Sequence, residues 1–288
     1  MPKYQKTTKK SLKDLNLLDR FLFAEAMEDP VIVQYMLEII LGKEITLKYP
    51  PQTEREKRTS PLKRFVKLDV WAWDREDVLY DAEVQKEDTK NFPKRSRLYQ
   101  ALIDAKLLKP GETDFNKMNT VFIIMIMPFD LFGEGLYQYT FEMRCKEREG
   151  IALGDKAVRI FLNTHGTNDG EVDPELIELL HYMENTTEEV SSRCKSEKIK
   201  EMQRRIEEIK SSEEVGVRYM QAWEEKALER QKGREEGKKE GELAGKLETV
   251  LEFCRELGVS KEDTIIKIRE KCNLSEEDAR KYVEERWE

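Results

Sequence analysis

The sequence predicts an α/β fold in which a mixed β-sheet is flanked by helices, followed by an α-helical C-terminal tail. Three observations carry this. Segments of strand-like alternation recur between segments of three-four apolar spacing over the first 190 residues. The run NTVFIIMIM at 119–127 is apolar and rich in β-branched residues, as a strand buried on both faces must be. Beyond residue 190 the chain turns charged, with 13 basic and 13 acidic residues between Lys195 and Glu242.

Taken in order, the spacing of Leu15, Leu18, Leu22 and Ala26 predicts a helix over 12–27 with Ser11 as its cap. Pro30 opens a second helix that Gly42 closes, and EITLKYP at 44–50 follows as a short strand. A hairpin is expected from strands 64–73 and 77–86, turning through Asp74, Arg75, Glu76 and Asp77. Successive side chains alternate faces, so Val66, Leu68, Val70 and Ala72 share a core face with Val78, Tyr80, Ala82 and Val84. The other face then carries Lys67 and Asp69, with Asp81, Glu83 and Gln85 on the neighbouring strand. A turn centred on Glu76 sets Asp69 opposite Glu83, with Cβ atoms roughly 5 Å apart. Pro93 opens a helix to about Leu108 with Leu98, Ala101, Leu102 and Ala105 inward, and strands follow at 119–127, 137–144 and 157–163. Three domains are expected: 1–190, a charged helical or coiled-coil region at 191–246, and a small helical unit at 247–288 with caps at Ser260 and Ser275. Gly233, Gly237, Gly241 and Gly245 recur every fourth residue and predict a weak helix or hinge, since each helical glycine costs roughly 1 kcal/mol relative to alanine.

Composition excludes several functions. The longest apolar runs fall well short of the roughly 20 residues a membrane helix needs, and the basic N-terminus has no apolar segment behind it. Four cysteines and two histidines, His165 and His181, show no zinc-ligand spacing, so reduced thiols and a cytoplasmic location are expected. No Ser-His-Asp or Cys-His arrangement is legible. The net charge of −8 is uneven: 55–67 carries a local +5 and 94–109 a local +4, either solvated faces or phosphate-facing patches.

Carboxylates converging from neighbouring strands repel, and a hard divalent cation with oxygen ligands relieves that repulsion. An ordinary solvated strand face is the plain alternative. K-L-D-V-W at 67–71 followed by Y-D-A-E-V-Q at 80–85 resembles the Asp…Glu-x-Lys signature of the PD-(D/E)XK nuclease superfamily. With P-K-R-S-R-L-Y at 93–99, LDRFLFAEAMEDP at 18–30, MPFDLFGEGLYQYTFEMRC at 127–145, LGDKAVRIFLNTHG at 153–166 and the glycine-repeat tail, it resembles more narrowly the Rpn family of recombination-promoting nucleases and transposases, over roughly 12–245.

The resemblance implies a metal-dependent DNA endonuclease using Mg2+ or Mn2+. Asp69 and Glu83 would be ligands with the Val84 carbonyl as a third, and Gln85 stands where the broader superfamily has lysine. Lys67 is a candidate for the missing cation, Asp19 or Glu25 for a further acid, and Arg95 and Arg97 for a phosphate clamp. A homodimer through the helical tail is expected. A neutral amide can orient a water but brings no charge, so the rival reading is a catalytically impaired nuclease fold that binds nucleic acid or protein.

Overall fold

The computed structural model describes residues 10–57, 66–108 and 111–287, and for 54–57 and 66–69 it describes the backbone only. Nine helices and six strands follow in the order α1 (Arg20–Ala26), α2 (Pro30–Leu41), β1 (Gln52–Lys57), β2 (Val66–Trp73), β3 (Leu79–Val84), α3 (Phe92–Asp104), β4 (Val121–Met127), β5 (Gln138–Phe141), β6 (Ala157–Asn163), α4 (Pro174–Glu184), α5 (Glu188–Arg193), α6 (Glu197–Ser211), α7 (Glu213–Glu256), α8 (Lys261–Cys272) and α9 (Glu276–Glu284) among the described residues. The strands form one mixed sheet in the order β1-β2-β3-β4-β6-β5. β3, β4 and β6 run parallel at its centre, and the outer pairs are antiparallel.

The hairpin has the expected register, pairing Val70 with Ala82 and Trp71 with Asp81. Asp74 fixes it: the buried carboxylate accepts from Glu76 N and Val78 N, both at 2.9 Å, and from the Tyr80 hydroxyl at 2.6 Å. Asp77 turns the chain at φ 59°, a left-handed position that Asp tolerates better than most residues.

Both faces of the sheet are buried at its central strands β3 and β4. Val70, Ala72, Val78, Tyr80, Ala82 and Val84 pack with apolar residues of α1, α2, α4 and α6. Trp71 and Leu79 pack on the other face with Phe92, Tyr99, Leu102 and Ile103 of α3 and Ile123, Met125 and Met127 of β4. The face that carries Asp81 and Glu83, for which a solvated strand was the plain alternative, is therefore the floor of a second core.

Several expectations are corrected. Residues 12–27 do not form one helix: a 3-10 turn at Leu12–Asp14 precedes α1, Ser11 makes no side-chain cap, and Asp19 caps instead by accepting from Phe21 N. The segment 44–50 contributes a single bridge, Leu47 to Asp74, and the edge strand is β1, whose charged sequence QTEREK concealed it. In α3, Leu98 and Ala101 are outward, and the inward stripe is Phe92, Ser96, Tyr99 and Ile103.

The chain divides into two compact units, Met1–Tyr219 and Met220–Glu288. The first takes in α6, whose Ile199, Met202 and Ile206 are buried in its core beyond the expected boundary at 190. The glycine repeat does not end α7, which runs for 44 residues. Lys and Glu are good helix formers, and pairs such as Gln231 to Glu235 at 2.9 Å support the helix along its length. In the second unit Leu247, Leu251, Ile265, Ile268, Ala279 and Val283 form a small core, and Ser260 and Ser275 cap α8 and α9 as expected.

Candidate active site

β3 is buried at all six positions, and on it Asp81 and Glu83 are both fully inaccessible. They stand two residues apart on the face turned toward α3, since alternate strand residues share a face. Keeping a carboxylate out of water costs several kcal/mol even after relaxation, so two side by side are retained against stability.

The first turns of α3 answer them. Pro93 in the first turn sets the helix start, and Arg95 then falls above Glu83. Its Nη2 donates to Glu83 Oε2 at 3.0 Å and its Nη1 to Gln85 Oε1 at 3.2 Å, while its Nε donates to the Tyr99 hydroxyl. Gln85 in turn donates from Nε2 to Glu83 Oε2 at 3.3 Å. The guanidinium lies 5.9 Å from the Phe92 ring centroid and 5.1 Å from that of Tyr99, close enough for cation–π attraction. Burial and the nearby Glu83 charge push the Tyr99 phenol above its ordinary range, so it stays protonated.

The sequence-derived candidates separate in this frame. Glu83, Gln85 and Arg95 are brought together. Val84 turns its side chain into the opposite core, away from this site. The β2–β3 register, continued one pair beyond Val70 and Ala82, sets Asp69 against Glu83 in backbone terms. The side chains of Asp69 and Lys67 lie outside the described residues, as does much of the 55–67 basic patch. Arg97 is exposed. Two residues along a helix point roughly 200° apart, so Arg95 and Arg97 do not form one clamp. Asp19 caps α1 and pairs with Lys86 at 3.4 Å, and Glu25 is engaged by Arg218 of α7, with Nε to Oε1 at 3.0 Å. His165 pairs with Glu184 at 2.9 Å, and burial pushes the Cys194 thiol up, which suits an inert packing role.

Tyr99 has no assigned role in the sequence reading, Asp81 is placed on the polar strand face without one, and Arg95, read as half of a phosphate clamp, is found on Glu83. Asp81 was visible as the other carboxylate of its strand face. Tyr99 and Arg95 lie four apart, on one side of a helix, but only the placement of α3 shows which side.

A divalent cation fits the donor set in chemical kind, because Asp81 and Glu83 present hard carboxylate oxygens within one buried patch. Among the described residues no group of three or more His, Cys, Asp or Glu that could hold a metal is found, so any third protein ligand would come from elsewhere, Asp69 being the candidate in register. No described helix is long and apolar enough to cross a membrane.

One comparison covers the elements that build this site. The family model described as PD-(D/E)XK nuclease family transposase matches residues 18–234, which include every strand of the sheet and the whole α3 network. No curated protein and no solved structure shows significant similarity to the chain. A match over that span, on a mixed sheet whose hairpin and following helix build a buried acidic site, places this chain in the PD-(D/E)XK nuclease family of transposases.

Proposed function

We propose that the protein hydrolyses DNA phosphodiester bonds with little sequence preference, using Mg2+ or Mn2+ held by Glu83 and Asp69, in recombination or mobile-element biology. The observation that carries this is the buried pair of carboxylates, Asp81 and Glu83, the second of them paired with Arg95. A fold kept only as a binding scaffold gains nothing from two desolvated carboxylates, whereas hard carboxylate oxygens gathered in one buried patch are what a cation-assisted site requires. A cation bound there would supply an activated water and offset charge on the scissile phosphate.

The chain's own residues have separable tasks. Glu83 presents its carboxylate with one oxygen held by Arg95 and Gln85, which limits its rotation. Gln85 is tied through both amide atoms, so its first task is to hold Glu83; each amide atom keeps capacity for a second bond, enough to orient a water. Arg97, exposed on α3, is placed to meet a phosphate approaching along the helix. The same reading gives assembly, as a homodimer, to the helical tail.

Supercoiled plasmid incubated with the protein in Mg2+, Mn2+ or chelator tests the reading, alongside Asp69→Asn. Nicking that needs the cation and falls at least 100-fold in Asp69→Asn is expected, a change of about 2.7 kcal/mol. Cation-dependent binding of DNA without any cutting would favour the impaired-nuclease alternative instead.

A further inference from the structure

We infer that Arg95 supplies the cation that the superfamily's lysine would otherwise bring, from α3 rather than from β3. This rests on the cleavage reading above and assigns the charge of that same site.

The need for a cation follows from Gln85, whose amide occupies the lysine position and carries no charge. The structure puts a guanidinium against that amide. Arg95 contacts Gln85 Oε1 at 3.2 Å and Glu83 Oε2 at 3.0 Å, so its charge sits within one hydrogen bond of both residues of the Glu-x-Gln pair. Its position is fixed from every side. The backbone N donates to Asn91 O at 2.9 Å, Nε is held by the Tyr99 hydroxyl, and the rings of Phe92 and Tyr99 flank the guanidinium. Its side chain is 30% exposed against 0% for Glu83, so the guanidinium reaches the surface that a phosphate would approach while the carboxylate stays covered.

Gln85 and Arg95 thus divide between them what one lysine does. The amide takes the strand position and receives the guanidinium, and the guanidinium brings the charge. An arginine remains protonated through the working range and donates up to five N–H bonds without releasing a proton. Arg95 is therefore a positioning and charge-supplying residue, not a general acid. Placed on Glu83, it also competes with a divalent cation for the same carboxylate, so the affinity of the site for a metal reports its presence.

The test relocates the charge. Arg95→Met keeps the apolar stem between the two rings and removes the cation. Its plasmid nicking should fall about 100-fold, the scale of losing one preorganised electrostatic contact. Its affinity for Mn2+ alone, measured by calorimetry, should rise several-fold because a competing positive charge is gone. Adding Gln85→Lys to Arg95→Met should move both quantities back toward wild type, and Gln85→Lys alone should bring no gain in rate. Arg95→Lys, which keeps a charge without the fork, should retain more activity than Arg95→Met, and circular dichroism checks the fold of each variant. The inference is overturned if Arg95→Met nicks at the wild-type rate, or if the double variant is no faster than Arg95→Met while both bind Mn2+. A wild-type protein that binds Mn2+ but nicks under no condition refutes the cleavage reading separately. The three Mn2+ affinities then decide alone whether the guanidinium is the cation of this site, equal values refuting it.

Discussion

The β3–α3 site and the charged helices after residue 195 are built from the same acids and bases, yet they use them in opposite ways. In the site, Arg95 meets a Glu83 that is fully buried, and ring faces and an amide hold the pair. On α7, Lys238 and Glu242 are 3.7 Å apart with 79% and 59% of their side chains exposed. Water screens the second pair and leaves it worth a few tenths of a kcal/mol, while the first acts at low local dielectric where charge placement governs chemistry. Sequence proximity does not predict their strength: the weak pair is four residues apart and the strong one twelve.

The largest expected effect belongs to the buried side. Glu83→Gln keeps the shape of the side chain and removes its charge, and nicking should fall by at least about 1,000-fold, or 4 kcal/mol, with the fold retained. Measured on plasmid with matched circular dichroism, a loss below tenfold would erase the contrast between the two regions.

An intermediate effect is expected on α7. A Cβ built at Gly237 or Gly241 meets nothing within 4 Å, so alanine at either position should stabilise the helix by up to about 1 kcal/mol. Thermal melting followed at 222 nm reads this, and nicking per site should be unchanged. A destabilised alanine variant would mean that something packs on the glycine side of α7 in solution.

The smallest effect concerns α6. The guanidiniums of Arg204 and then Arg205 hold the Glu201 carboxyl down to about 2, against an ordinary value of 4.5. A lowered folded value means that the stabilisation is fully present above 4.5 and is lost as pH falls through about 2. Because the group is only half-buried, salt should weaken it. Wild type and Glu201→Gln should therefore differ slightly in Tm at pH 5 in low salt and converge toward pH 2. A gap that widens on acidification would show the assigned partners to be wrong.

The amino-acid sequence by itself determined the hairpin and its register, the order of the remaining strands after it, the C-cap of α2, the N-caps of α8 and α9, and the identity of the Glu-x-Gln pair. Each depends on local rules: strand alternation, turn chemistry at Asp74, and side chains that bond backbone groups two or three residues away. The 12–27 segment misled because an apolar stripe at helical spacing is also satisfied by a turn followed by a shorter helix, both buried against the sheet. The glycine repeat misled in the other direction, since the propensity cost of four glycines is spread over a 44-residue helix rich in good formers.

Only the tertiary structure decided which face of α3 lies on the sheet. Leu98 and Ala101 form a stripe as plausible as Phe92, Tyr99 and Ile103, and the choice between them follows from what the sheet face beneath has to bury. That choice turned an apparently solvated pair of acids into a desolvated one and set Arg95 on Glu83. Burial and long-range charge pairing depend on the packing of distant segments, which no local pattern encodes.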